Sequence, residues 1–249
     1  MEFTRKNVAV IILAAGKGTR MKSDKAKVLH ELNGRPMIGF VVDVAKTVAG
    51  DNVVVVVGHQ RELVEKEVLK SANTRFAVQR EQKGTGHAVM CALPEIPSHV
   101  TSVIILCGDV PLIRVETIHD LLGQHAKEDA AVTVLGVKVD VPTGYGRLIV
   151  GPDGSVIKIV EQADATDAEK KIQLINAGIY CIETDFLKDA LNRITNDNAQ
   201  GELYLTDIIE IAHRDQKKIG MCVCASEAEV IGVNTCDDLN KAQALMPSK

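Results

Sequence analysis

The sequence predicts an α/β protein built on a doubly wound, mostly parallel sheet, with a smaller lobe inserted after it. Three observations carry this. Short apolar runs alternate with amphipathic stretches of helical period through the first half of the 249 residues. Five consecutive valines, Val53–Val57, suit a central strand covered on both faces. Beyond Pro142 the pattern changes to short strands paired around the turn Gly151-Pro152-Asp153-Gly154.

Taken in order, residues 8–14 read as a buried strand that runs into a glycine-rich loop. Apolar positions Met37, Val41, Val42, Val44, Ala45 and Val48 fall on one face of a helix. A charged helix is expected over 60–70, a strand over 76–79, and a helix over 84–93. Residues 103–107 form the next buried strand, ending at Gly108-Asp109, and 131–137 continue the series. Such β-α-β alternation implies right-handed crossovers. Strands are expected over 145–150 and Val156–Val160, an acidic surface loop over 162–171, an apolar run over 174–181 and a helix over 183–194. Short strands over Ile219–Cys224 and 230–233 precede a last helix, for which Thr235 is the N-cap and Asp238 completes a near capping box. With no linker and no repeat, the chain reads as one domain of residues 1–249. Its halves are about 1–137 and 138–249.

Composition narrows the class. Apolar residues make up 46% and charged residues 25%, as in ordinary globular proteins. Aromatics are only 3% and the net charge is −4, which disfavours both base-stacking platforms and backbone-tracking basic surfaces, so no nucleic-acid partner is expected. Six scattered cysteines contain no C-x-x-C pair and read as small buried hydrophobes. His87 and Cys91 lie one helical turn apart, but two ligands do not make a closed zinc site. No signal peptide or membrane-length segment is evident, so a reduced, cytoplasmic protein without a membrane partner is expected. A homo-oligomer is left open.

The chemistry is concentrated in Leu13-Ala14-Ala15-Gly16-Lys17-Gly18-Thr19-Arg20-Met21 and the downstream Lys27-Val28-Leu29. A glycine-rich turn after the first parallel strand presents backbone amides to a phosphate. The loop fits neither the dinucleotide fingerprint, because position 21 is Met, nor the Walker A pattern. It brings its own cations instead: Lys17, Arg20 and Lys27. Asp109 stands at a strand end, where a carboxylate can hold a hard cation beside phosphates.

These segments resemble the sugar-nucleotide pyrophosphorylases. Further motifs narrow the resemblance to the bacterial N-acetylglucosamine-1-phosphate uridylyltransferases. They are Gln79 to Ala88 (QREQKGTGHA), Gly108 to Leu112 (GDVPL), Pro142 to Arg147 (PTGYGR) and Ile159-Val160-Glu161 with Asp164-Ala165-Thr166. Asn176-Ala177-Gly178-Ile179, Asn198 to Glu202 (NAQGE), Tyr204 to Asp207 (YLTD) and Gly232-Val233-Asn234 follow in family order.

The resemblance implies a nucleotide-diphospho-sugar transferase fold with a sugar-binding lobe. It also implies a Mg2+-dependent attack of N-acetylglucosamine 1-phosphate on the α-phosphate of UTP, these two small molecules being the partners. Arg20 and Lys27 would be catalytic, and Asp109 and Asn234 would hold the metal. Leu13, Ala14, Ala15, Gly16, Gln79, Gly84, Thr85 and Gly108 would bind the nucleotide, with Gln79 reading uracil through a donor and an acceptor. Gly146, Glu161, Asn176 and Asn234 would bind the sugar.

Two positions depart from the family: Cys107 replaces a usual Tyr, and Ala26 replaces a usual Pro, which should loosen the turn before Lys27. No hexapeptide-repeat acetyltransferase domain is expected in these residues. The alternatives are a sister enzyme for another sugar phosphate, such as glucose 1-phosphate, and a catalytically inactive nucleotide-sugar sensor.

Overall fold

Two-sided burial sets the centre of the sheet. All five valines of Val53–Val57 are fully buried, as are the middle residues of Val8–Leu13 and Ser102–Cys107. Burying each such side chain contributes roughly 1.5–3 kcal/mol. In the computed structural model, which describes residues 4–246, the chain runs β1 (Val8–Leu13), a hairpin of β2 (Glu31–Leu32) and β3 (Arg35–Pro36), then α1 (Met37–Ala49). There follow β4 (Val53–Val57), α2 (Arg61–Val68), β5 (Arg75–Val78), α3 (Thr85–Ala92), β6 (Ser102–Cys107), α4 (Val115–Glu128) and β7 (Val132–Lys138). The second half adds β8 (Arg147–Val150), β9 (Val156–Val160), β10 (Leu174–Glu183), α5 (Thr184–Leu191), α6 (Asp207–Arg214), β11 (Ile219–Cys224) and α7 (Cys236–Leu245).

The main sheet has the order β11-β7-β10-β6-β1-β4-β5. Strand β1 pairs in parallel with β4 and β6, as do β4 with β5 and β7 with β11. Strand β10 is antiparallel to β6, β7 and β8, and so joins the hairpin β8–β9 to the sheet beside its main strand order. Alternate residues of each strand feed two cores. One is covered by α1, α2 and α4, the other by α3, α5 and α6. The strand order reverses at β1, so the crevice beyond the carboxyl ends of β1 and β6 is the place for a ligand in such a sheet.

Several expectations change. Residues 230–233 are not a strand: a 3-10 turn, Glu227–Val230, leads into an extended segment. There the Val233 amide donates to the Asp109 carbonyl at 2.9 Å. The phosphate loop leads into two 3-10 turns, Thr19–Met21 and Lys27–Leu29, before α1 begins. The free amides of this stretch therefore belong to the loop itself, as expected, and not to a helix N-terminus. Ala26 does not loosen its turn: its amide, which a proline would lack, donates to Gln60 Oε1 at 2.7 Å, and Gln60 Nε2 donates to the Asp24 carbonyl at 2.7 Å. The acidic loop is not wholly solvated either, since Asp164 accepts from the Ala199 amide and Ala165 is buried. The capping box of α7 forms as the sequence suggests, between Thr235 and Asp238.

Burial also predicts an acid sensitivity. His125 of α4 is 4% exposed and lies 2.9 Å from Thr133 Oγ1 through Nδ1. Burial pulls its pKa down from 6.5 to about 4, with Asp129 pulling weakly the other way. The unfolded chain therefore takes this proton first as the pH falls. Stability present above pH 6.5 is lost toward pH 4, by on the order of 3 kcal/mol. Denaturant unfolding from pH 7 to 4 should show the wild type losing that much more than His125→Gln; parallel curves would contradict it.

Candidate active site

A cleft of about 320 Å3 opens beyond β1 and β6. Nine of the predicted residues line it: Leu13, Ala14, Ala15, Gly16, Lys27, Gln79, Gly84, Thr85 and Asp109. Gly108 lies buried beneath, its amide donating to the Leu13 carbonyl at 2.9 Å, which ties the ends of β1 and β6 together. A side chain there would meet that carbonyl and Ile38 at 3.1 Å.

At the phosphate end, the amides of Ala15, Gly16 and Lys17 donate to no acceptor among the described residues, whereas that of Ala14 is spent on the Val56 carbonyl at 2.9 Å. Gly18 needs to be glycine: its φ is +64° and a Cβ would come within 2.6 Å of Lys27 Cβ. The loop thus packs against the lysine stem and aims it.

The Lys27 ammonium bonds to Asp109 Oδ2 and lies 3.0 Å from Asn234 Oδ1. Arg20 Nη2 donates to the same Asn234 oxygen at 2.9 Å. Asn234 Nδ2 is turned away, onto the Gly232 carbonyl at 3.1 Å. The Val233–Asp109 bond and the α7 capping box, through Asp238 Oδ2 and the Asn234 amide at 3.1 Å, hold this residue in place. Four residues from three distant stretches of sequence therefore meet at one point. Arg20 and Asn234 reach it from outside the cleft wall.

The base end is a strand-to-helix junction. Gly84 has φ +105°, and a Cβ there would meet the Leu203 carbonyl at 2.6 Å. The Leu203 amide donates to the Lys83 carbonyl at 2.7 Å, and the Gly86 amide to the Leu203 carbonyl at 2.8 Å. Thr85 Oγ1 accepts from the Leu205 amide at 3.0 Å. That hydroxyl, expected to meet ribose or phosphate, is first of all a structural clamp. Gln79 Nε2 donates to the Gly84 carbonyl at 3.0 Å and meets His87 Nδ1 at 3.1 Å. Its donor is consumed within the protein, so the expectation of a donor and an acceptor facing uracil is corrected to an acceptor alone. Residues 82 and 202 also line the cleft. Gln82 donates to the Ala15 carbonyl at 2.6 Å, a contact with no local signature; Glu202 ends a motif that carried no assigned role.

The sugar-side residues do not line this cleft but gather beside it. The Asn176 amide donates to the Gly146 carbonyl at 2.9 Å, and a Cβ on Gly146 would lie 3.4 Å from Glu161 Oε2. Glu161 accepts from Thr206 Oγ1 at 3.1 Å, and burial raises its pKa. Asn176 donates to the Tyr180 hydroxyl at 2.7 Å and accepts from the Gly178 amide at 2.9 Å. Cys107 joins the two groups: it lines the cleft and its thiol donates to the Gly178 carbonyl at 3.4 Å. Burial, helped by Asp109, pushes that thiol up to about 12.

An amide-lined loop at a sheet switch point, beside lysine, arginine and carboxylate, fits a nucleotidyltransferase. The chain belongs to the MobA-like NTP transferase domain family, whose sequence profile matches residues 10–172. It is also similar to proteins named bifunctional protein GlmU. That of Geotalea uraniireducens is 48% identical over 240 residues, 96% of this chain and 52% of the relative. That of Geobacter sulfurreducens is 50% identical over 228 residues, 92% and 48% respectively. That of Desulfotalea psychrophila is 45% identical over 235 residues, 94% and 69%. The chain spans about half the length of the first two. Among the described residues no helix is long and apolar enough to cross a membrane, and no cluster of three His, Cys, Asp or Glu could hold a metal unaided.

Proposed function

We propose that the chain joins UTP to N-acetylglucosamine 1-phosphate, giving UDP-N-acetylglucosamine and pyrophosphate, with Mg2+ as cofactor. The convergence of Lys27, Asp109 and Asn234 on one point beside the base pocket carries this reading. Asp109 Oδ2 and Asn234 Oδ1 already share a cation there, the Lys27 ammonium. Few protein oxygens, both hard, suit Mg2+ completed by phosphates. The metal ion, when bound, would neutralise charge on the triphosphate.

The chain's own residues supply position and charge. Amides of Ala15 and Gly16 face the phosphates. Lys27 and Arg20 bring two positive charges to where charge moves as the sugar phosphate oxygen attacks the α-phosphorus in line. The new P–O bond forms as the bond to pyrophosphate breaks, and the leaving group carries off the electron pair. No protein nucleophile is needed for this step. On the sugar side, Asn176 keeps a second amide hydrogen and a second lone pair for the acetamido group. Glu161 can accept from hydroxyls.

UTP and N-acetylglucosamine 1-phosphate should therefore outperform CTP and glucose 1-phosphate. A buried polar group left unpaired costs about 1–3 kcal/mol, so each swap should lower kcat/KM by roughly 5- to 150-fold. Pyrophosphate release across a panel of nucleotides and sugar phosphates measures this. Equal use of glucose 1-phosphate would favour a sister enzyme, and no turnover with any pair would favour a sensor.

A further inference from the structure

We infer that His87 is a positioning residue that decides which end of the Gln79 amide faces the base, and so favours a base carrying a ring N–H. The inference rests on the uridylyltransferase reading and deepens it.

Gln79 is 5% exposed, so its amide must be satisfied in place. The Gly84 carbonyl can only accept, which puts the amide nitrogen 3.0 Å from it and forbids the flipped orientation. The second hydrogen on that nitrogen points at His87 Nδ1, 3.1 Å away. Nδ1 must therefore offer a lone pair, leaving the imidazole proton on Nε2. That atom lies 3.8 Å from Cys91 Sγ, a weak acceptor one turn further along α3. Glu81, paired with Lys83 at 2.7 Å, is a charged neighbour of the imidazole. The chain Cys91–His87–Gln79 thus ends in one unspent polar atom, Gln79 Oε1, on a residue that lines the cleft.

An acceptor fixed there pairs with a ring nitrogen that carries a proton, as in uracil. It meets the bare ring nitrogen of cytosine as a second acceptor. Without the histidine, the amide keeps only the Gly84 anchor and can swing. Discrimination should then fall, although the catalytic groups lie elsewhere in the cleft.

The test compares wild type, His87→Leu and His87→Asn with UTP and CTP, each with N-acetylglucosamine 1-phosphate and Mg2+. Leucine removes the acceptor; asparagine places Oδ1 near the lost Nδ1. The UTP-to-CTP ratio of kcat/KM should fall ~5- to 10-fold in the leucine variant, mainly through a raised KM for UTP. Asparagine should restore most of it. An unchanged ratio in the leucine variant, or a fall that asparagine does not rescue, overturns the inference. If the wild type itself uses UTP and CTP alike, the uridylyl reading fails. The imidazole 15N shifts then judge His87: an unprotonated Nδ1 supports the assignment and a protonated one overturns it.

Discussion

Replacing Asp109 with alanine is expected to lower kcat at saturating UTP by ~1,000-fold or more, about 4 kcal/mol in the barrier. Among the described residues the side chain is the one carboxylate touching Lys27 at the end of the cleft, and without it Asn234 alone cannot hold a divalent ion against water. The loss should appear without turnover as well: Mn2+ titrated with UTP present should bind far more weakly to the variant. Stability should change little, because Lys27 keeps its contact with Asn234 and its stem can swing toward solvent. A variant that turned over at near wild-type rate, or bound Mn2+ as tightly, would remove the metal from this site. Asp109→Asn keeps the shape and separates charge from packing.

Lys27→Ala is the second large effect, expected at ~100- to 1,000-fold in kcat, with the KM for UTP within a few-fold. Among the described residues the ammonium bonds only to Asp109 and Asn234. Substrate phosphates and a metal ion would redirect it toward the reacting phosphorus. A cation matched to charge that develops only in transit acts on the transition state more than on the bound nucleotide. Lys27→Met retains the stem that packs on Gly18 and should be nearly as inactive. A raised KM with an unchanged kcat would move Lys27 to ground-state binding.

What could be read from the sequence divides along physical lines. The buried strands announced themselves because both faces are covered and every residue is apolar, as in Val53–Val57. Helix α1 showed its stripe of Val41, Val42, Ala45 and Val48. Strand polarity was not legible. Nothing within residues 174–183 says that β10 runs against both its neighbours, because direction is set by connections elsewhere. Helix α6 went unread because Ile208, Ile209 and Ile211 favour strands and only eight residues are involved. At the site, residue types and their order pointed to the glycine-rich loop and Asp109, whereas Asn234 was picked out only by the family resemblance. The orientation of Gln79 and the clamp on Thr85 depend on bonds to His87 and Leu205, which only the folded chain brings near.

The bonds that tie residues 83–86 to residues 203–205, and Asp109 to Val233, also bear on how the protein is made. Ribosomal synthesis is vectorial, and N-terminal segments fold as they emerge. Here the strands β1, β4, β5 and β6 can collapse early, yet the base pocket lacks its brace until Leu205 is out. The cation point lacks its carboxamide until Asn234 follows. The contacts that complete the cleft therefore form late in synthesis, first those of residues 203–205 and then those of Val233 and Asn234. With the glycine-rich loop and Asn234 more than two hundred residues apart, a working site reports on the folding of nearly all the residues between them.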